Sequence, residues 1–250
     1  MKEWDVFRLA VQFLTRVRVG NPAWSEGAQA ASIRWFSVVG LLIGAAGGGV
    51  LWLASLVLPG TVAAALSTAS VLLLTGCFHE DGLADAVDGL GGGTTRERAL
   101  EIMRDSRIGS YGAAAMTLAI ITKVVALGSM PTSVAVAALV AGHAASRASV
   151  VVVVATSRYV RDHGTGKPVS QGVGPSGLTL ALGGGAVGLA VLGMTAGWVS
   201  VLGGAIGLVV GHLGMRWFFE RRLGGYTGDC LGATQQTSEL GLLVGVLACL

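Results

Sequence analysis

Several stretches of this chain approach or exceed about 18 residues without a charged side chain, and nothing else in the sequence limits the fold as sharply. Such runs are the signature of helices that span a bilayer. Composition agrees: 52% of the 250 residues are hydrophobic, 12% are charged and 40 are glycine. The mean hydropathy of +0.70 is too high for an ordinary soluble domain. The expected fold class is all-α, a polytopic integral membrane helical bundle of about six to seven spans. Residues 1–250 read as a single membrane-embedded domain with no internal repeat.

In chain order, residues 2–19 carry Trp4, Phe7, Val11 and Leu14 at helical spacing, with Arg8, Arg16 and Arg18 largely on other faces. This is an N-terminal amphipathic helix, set in the membrane interface or packed on the bundle. Asn21-Pro22 breaks it. Six spans follow, at about 33–58, 62–78, 112–130, 134–155, 178–196 and 199–215. A helix at 96–107 closes at Gly109, and a polar, glycine-rich loop occupies 156–175. The last apolar piece, 240–250, is too short to span alone and reads as re-entrant or packed within the bundle.

Charge tests that count. With six spans, the turns at Pro59, Pro131 and Gly197 share one side and carry no Lys or Arg. The other side receives Arg96, Arg98, Arg104, Arg107, Arg158, Arg161, Lys167, Arg216, Arg221 and Arg222. That asymmetry follows the positive-inside rule and assigns the arginine-rich side to the cytoplasm. The net charge of +3 comes without a basic run interleaved with aromatics, so no nucleic-acid partner is expected. Cys77, Cys230 and Cys249 are odd in number and form no CxxC pair, so neither a disulfide framework nor a zinc site is indicated. The N-terminus lacks the pattern of a signal peptide.

Against this apolar background, residues 79–93 read HEDGLADAVDGLGGG, with four carboxylates in nine positions. On a helix, Asp81, Asp85 and Asp88 share an arc of roughly 60°. Like charges so placed repel, and a hard divalent cation such as Mg²⁺ or Mn²⁺ would offset them. A solvated acidic turn is the simpler alternative. His79 heads the stretch as a ligand, a base or a cap. Glu101 and Asp105 repeat the i, i+4 spacing on the next helix, where Glu101 can instead pair with Arg98 or Arg104. Two facing acidic helices would hold one or two ions, a recurring arrangement for phosphoryl transfer. Asp229, in a glycine-rich segment on the same side, adds a carboxylate or shapes a turn. Within the spans, Lys123, His143 and Arg147 each need a partner. A phosphate-bearing substrate supplies one for Lys123 and Arg147, and an internal acid is the alternative. His143 and His212 also suit hydrogen-bonded core positions.

The stretch 76–89, GCFHEDGLADAVDG, resembles the H-x-D-G-L-A-D-x-x-D-G motif of the cobalamin synthase family, the adenosylcobinamide-GDP ribazoletransferases. Residues 100–109 (LEIMRDSRIG), 12–16 (QFLTR) and 225–233 (GYTGDCLGA) are similar to further signatures of that family, and Lys123 and Arg147 fall where it carries basic residues. The usual proline after Thr15-Arg16 is replaced by Val17-Arg18, and no residue is carried over from 158–174. The resemblance implies a Mg²⁺-dependent enzyme of the cytoplasmic (inner) membrane. Its substrates would be adenosylcobinamide-GDP and α-ribazole or α-ribazole 5′-phosphate, its leaving group GMP, and its active site on the cytoplasmic side. With the spacing read above, the expected metal ligands are Asp81, Asp85, Asp88, Asp105 and Glu101. Catalytic roles fall to Asp85, Asp88, Asp105 and His79, and substrate contacts to Arg104, Arg107, Lys123, Arg147 and Asp229. A homo-oligomer is compatible with all of this. Asp85-x-x-Asp88-Gly89 also resembles the core of the CDP-alcohol phosphotransferases, the alternative enzyme reading. A cation transporter is a third, and it would want its acids deep within the spans.

Overall fold

The first long helix starts upstream of its apolar run. Ser25 accepts a hydrogen bond from the Ala28 N–H at 3.0 Å, an N-cap that satisfies a terminal donor. The computed structural model describes residues 2–161, 167–171 and 173–250. In it, α1 (Glu3–Leu14) precedes α2 (Glu26–Ser32), which passes through a 3-10 turn (Ile33–Trp35) into α3 (Phe36–Ser55). Then follow α4 (Gly60–Thr75), α5 (Phe78–Gly92), α6 (Arg96–Ile102), α7 (Ser110–Gly128), α8 (Thr132–Thr156), α9 (Pro175–Ala196), α10 (Trp198–Leu223) and α11 (Gly228–Leu247). The segments Glu26–Ser55, α7, α8, α9 and α10 are each long and apolar enough to cross a membrane, and α4 with α5 makes a sixth candidate bent by 88°. Among the described residues there is no strand, only one isolated bridge, and the fold is the expected all-α membrane bundle. The loop expected at 156–175 lies in part outside the described residues.

α8 is the central stave. Its most apolar window is 83% buried, against 22% for α10, so α8 meets protein on all sides while α10 presents a lipid face. Small residues make that possible, with Ala135, Ala138, Ala141 and Ala144 fully buried. α10 and α11 approach so closely that a Cβ on Gly207 would collide with the Gly241 carbonyl oxygen.

Three elements differ from the expectations. α1 stops at Leu14, five residues early, because Thr15 turns extended and the Arg16 N–H donates to the Leu74 carbonyl at 2.8 Å. Its apolar face packs on the bundle through Val6, Leu9, Ala10 and Leu14, and Phe13 stacks on Phe36 with centroids 5.5 Å apart. α6 ends at Ile102, so Asp105 lies beyond the helix and the i, i+4 pairing with Glu101 does not form. Asp105 instead accepts hydrogen bonds from the Arg107 N–H and Nε, both at 3.1 Å, and that local turn competes with the helix.

The largest difference concerns residues 216–239, between the last expected span and the final apolar piece. They complete α10 and begin α11, which together run antiparallel across the bundle. Hydropathy misses α11 because Thr234, Gln235, Gln236, Ser238 and Glu239 crowd its middle, all of them buried. These groups bond to one another and to neighbouring helices, so the polar middle of α11 is shielded by protein.

Candidate active site

The site begins with a bend. Gly76 (φ +68°) and Cys77 (φ +58°) both adopt the left-handed conformation, which glycine enters freely and cysteine rarely. They end α4 and swing α5 across the ends of α7 and α11. α5 then meets α11 at a glycine-to-glycine crossing. A Cβ on Gly82 would lie 3.2 Å from Gly232 Cα, and one on Gly232 would lie 3.2 Å from Gly82 Cα. That closeness sets Asp81 and Asp85 beside Asp229, in the first turn of α11. Asp85 feels the charges of Asp81, Asp229 and Asp88 together with that of Arg161. The acids of α5 and Asp229 therefore form one negatively charged ledge, with Asp81 exposed and Asp85 half-buried.

Asp88 is held differently. It is buried, and its Oδ2 and Oδ1 accept hydrogen bonds from the Gly109 and Gly112 N–H groups at 2.7 and 2.8 Å. Its carboxylate caps the N-terminus of α7, where the helix dipole also favours negative charge. Hydrogen bonds to a charged acceptor contribute about 1.5–3 kcal/mol each. Asp88→Ala is therefore expected to lower stability by about 2–4 kcal/mol. Thermal unfolding in detergent tests this, and an unchanged midpoint would remove the capping role.

Beyond Asp88 an open cleft of about 540 Å³ is lined by Asp88, Arg98, Glu101, Asp105, Arg107 and Tyr111. Glu101 pairs with Arg98 at 2.7 Å and Asp105 with Arg107 at 2.6 Å, on exposed side chains. The Arg107 guanidinium holds the Asp105 carboxyl down at about 2. Arg104 is exposed. The structure thus groups the candidate acids in two neighbouring sets: Asp81, Asp85 and Asp229 on the ledge, and Glu101 and Asp105 in the cleft. Asp88 stands between them.

The basic residues of the spans lie inward of the ledge. Lys123 pairs with Glu239 at 2.8 Å, and His143 Nδ1 lies 3.0 Å from the same carboxylate. Arg147 Nη1 donates to the His143 carbonyl at 3.1 Å. Gln235 Nε2 donates to Ser146 Oγ and to Glu239, and Gln236 Nε2 donates to Glu80 Oε1 at 2.9 Å. All of these side chains are buried. For Lys123, then, the partner is the internal acid Glu239 on α11. Arg147 also borders a small cavity of about 30 Å³ with His79, Phe13, Phe36 and Phe78, room for a water molecule. Glu80, off the shared face of α5, belongs to this internal network and not to the ledge.

Comparison with known proteins decides what this arrangement belongs to. The family model for cobalamin-5-phosphate synthase matches residues 6–247. The chain belongs to the cobalamin-5-phosphate synthase family. A Ralstonia nicotianae protein named adenosylcobinamide-GDP ribazoletransferase is 43% identical over 245 residues, covering 96% of this chain and 93% of that protein. A Leptothrix cholodnii protein of the same name is 44% identical, covering 98% and 96%. One from Shewanella frigidimarina is 41% identical, covering 99% and 96%. No solved structure matches the chain. In this cobalamin-5-phosphate synthase family member, sequence reading passed over Arg161. Its Nη1 pairs with Asp229 Oδ2 at 2.8 Å, at the inner edge of the ledge. The surrounding loop offered no motif; the one signal was an arginine on the same side of the membrane as the acids.

Proposed function

We propose that this chain transfers adenosylcobinamide phosphate from adenosylcobinamide-GDP to α-ribazole or α-ribazole 5′-phosphate and releases GMP, the last joining step of the vitamin B12 nucleotide loop. The observation that carries the reading is the ledge itself. The motif-bearing acids of α5 are brought by a backbone crossing to the start of α11, within a chain whose relatives bear that enzyme's name. In the reaction the ribazole hydroxyl oxygen forms a bond to the phosphorus that carries the cobinamide. The bond from that phosphorus to the bridging oxygen breaks, and GMP departs with the electron pair. The hydroxyl proton passes to a carboxylate of the ledge or to His79. Asp105 is a poor acceptor near neutral pH while Arg107 holds its carboxyl so low.

Magnesium fits the donor set. Like-charged carboxylates lie side by side, and their repulsion is relieved by a cation. Among the described residues no three His, Cys, Asp or Glu side chains form a ready-made cage. Mg²⁺ commonly binds through one or two carboxylates plus substrate phosphates, so a cage is not required. Asp81 and Asp85 are the residues that would hold it, with Asp88 and Asp229 alongside and Glu101 and Asp105 facing the adjoining cleft. When bound, the ion neutralises phosphate oxygens. Arg107 lines the adjoining cleft and would meet the phosphates there, Arg104 is exposed and would serve the nucleotide, and Arg147 borders the small cavity beside His79.

The site is read as facing the cytoplasm from the inner membrane. The turns at Pro59, Pro131 and Gly197 carry no Lys or Arg, whereas the ledge end is rich in arginine. The test is to reconstitute the protein in liposomes with Mg²⁺, adenosylcobinamide-GDP and α-ribazole. GMP release matched by formation of the joined corrinoid is the expected result. No GMP release with either form of α-ribazole would reject the reading.

A further inference from the structure

Residues 158–161 leave α8 and are clamped to the segment that leads into α11. The Val160 N–H donates to the Tyr226 carbonyl at 3.0 Å, and the Tyr226 N–H donates to the Arg158 carbonyl at 2.8 Å. This isolated bridge holds Tyr159 edge-on against Tyr226, with ring centroids 5.5 Å apart. It also delivers Arg161 to Asp229. The Arg161 side chain is only 9% exposed, and it spends one nitrogen on Asp229. Its Nε and Nη2 are buried without a hydrogen-bond partner among the described residues, and so is the Tyr159 hydroxyl. The phenol lies within reach of the charges of both Arg161 and Asp229, and burial pushes its pKa up, so it remains a donor.

Buried donors are rarely left unmade, because each has given up its bonds to water. Three on one clamped segment call for one ligand with several acceptor oxygens. A guanidinium that offers a pair of adjacent N–H groups matches the edge of a phosphate. The N-terminus of α11, a 20-residue helix, opens beside it and adds a positive dipole end. Asp81 and Asp85 share the ledge with Asp229 and would hold a cation that neutralises phosphate oxygens.

We propose that Arg161 and Tyr159 form a phosphate-binding subsite at the inner edge of the ledge, which grips a phosphate of the nucleotide-activated substrate. The identity of that substrate rests on the transferase reading; the anion site itself does not. The two N–H groups of Arg161 orient the phosphate, and the Tyr159 hydroxyl takes a third contact. The pair with Asp229 keeps the guanidinium aimed while the site is free.

Inorganic pyrophosphate is the probe, titrated calorimetrically into the purified full-length protein in detergent, with Mg²⁺ and with EDTA. Wild type is expected to bind in both, more tightly with Mg²⁺. Arg161→Ala should weaken binding about tenfold or more, and Arg161→Lys should recover part of it. Tyr159→Phe, which keeps the ring and its packing, should weaken binding about threefold with an unchanged thermal midpoint. If Arg161→Ala also unfolds the protein, Tyr159→Phe decides. Wild-type affinity in Tyr159→Phe, or in a folded Arg161→Ala, would overturn the subsite, as would failure of the wild type to bind pyrophosphate. Pyrophosphate binding that depends on Arg161 in a protein that releases no GMP would leave the subsite standing and reject the transferase reading. GMP release with affinity indifferent to both substitutions would do the reverse.

Discussion

Asp85→Asn is expected to lower GMP release by about 10²–10³-fold while the protein inserts and folds as before. The two halves of this expectation have separate causes. Asp85 makes no hydrogen bond or ion pair among the described residues, and its nearest charges are mostly like its own. Removing its charge therefore takes away repulsion, and stability should hold or rise. A residue kept at a cost in stability points to a ligand that relieves the strain, which is the pattern of a functional group. Asp88→Asn behaves differently, because one of its two contacts to the α7 N-terminus would face an amide nitrogen instead of an oxygen. Measuring GMP release and thermal midpoint for both variants separates the roles. Full turnover by Asp85→Asn at ordinary Mg²⁺ would count against ligation at that position.

Glu239→Gln is the second large effect, and it falls on folding. Glu239 is 1% exposed and faces Lys123 and His143 from the middle of the bundle. Neutralising it leaves the ammonium of Lys123 buried without a counter-charge. Breaking one side of a buried pair costs about 3–5 kcal/mol, a large share of the stability of most domains. We expect a sharply lowered thermal midpoint and poor recovery from membranes. Glu239→Gln combined with Lys123→Met should regain much of the loss, because both charges are then gone. If the double variant is no better than the single one, the pair does not act as a unit.

Lys123 and His143 share one internal acid, and Arg147 is bonded to the backbone of the same helix while bordering the cavity at His79. Intramembrane charge always asks for a partner, and the sequence offered two kinds, a substrate phosphate or an acid of the chain. The partner for Lys123 sits on α11, 116 residues further along and inside a stretch that hydropathy reads as a connection. Such pairing is invisible to any periodicity within one helix.

Local rules were enough for much of the rest. The uncharged runs located the spanning helices, since length and apolar content decide what enters hydrocarbon. The prolines and glycines placed the turns, and the heptad-scale spacing of Asp81, Asp85 and Asp88 put them on one helix. What local rules left open was decided by packing. Asp105 left the helix because its own turn with Arg107 competes with another helical bond. Asp88 was drawn into capping because α7 begins against it. Asp229 and Arg161 joined the ledge only through the contact of Gly82 with Gly232 and the bridge from Tyr159 to Tyr226. The sequence by itself determined that this chain is a membrane bundle with an acidic helix at one end, because hydropathy and spacing act over a few turns. Only the tertiary structure decided which acids meet, because that depends on contacts between backbones far apart in the chain.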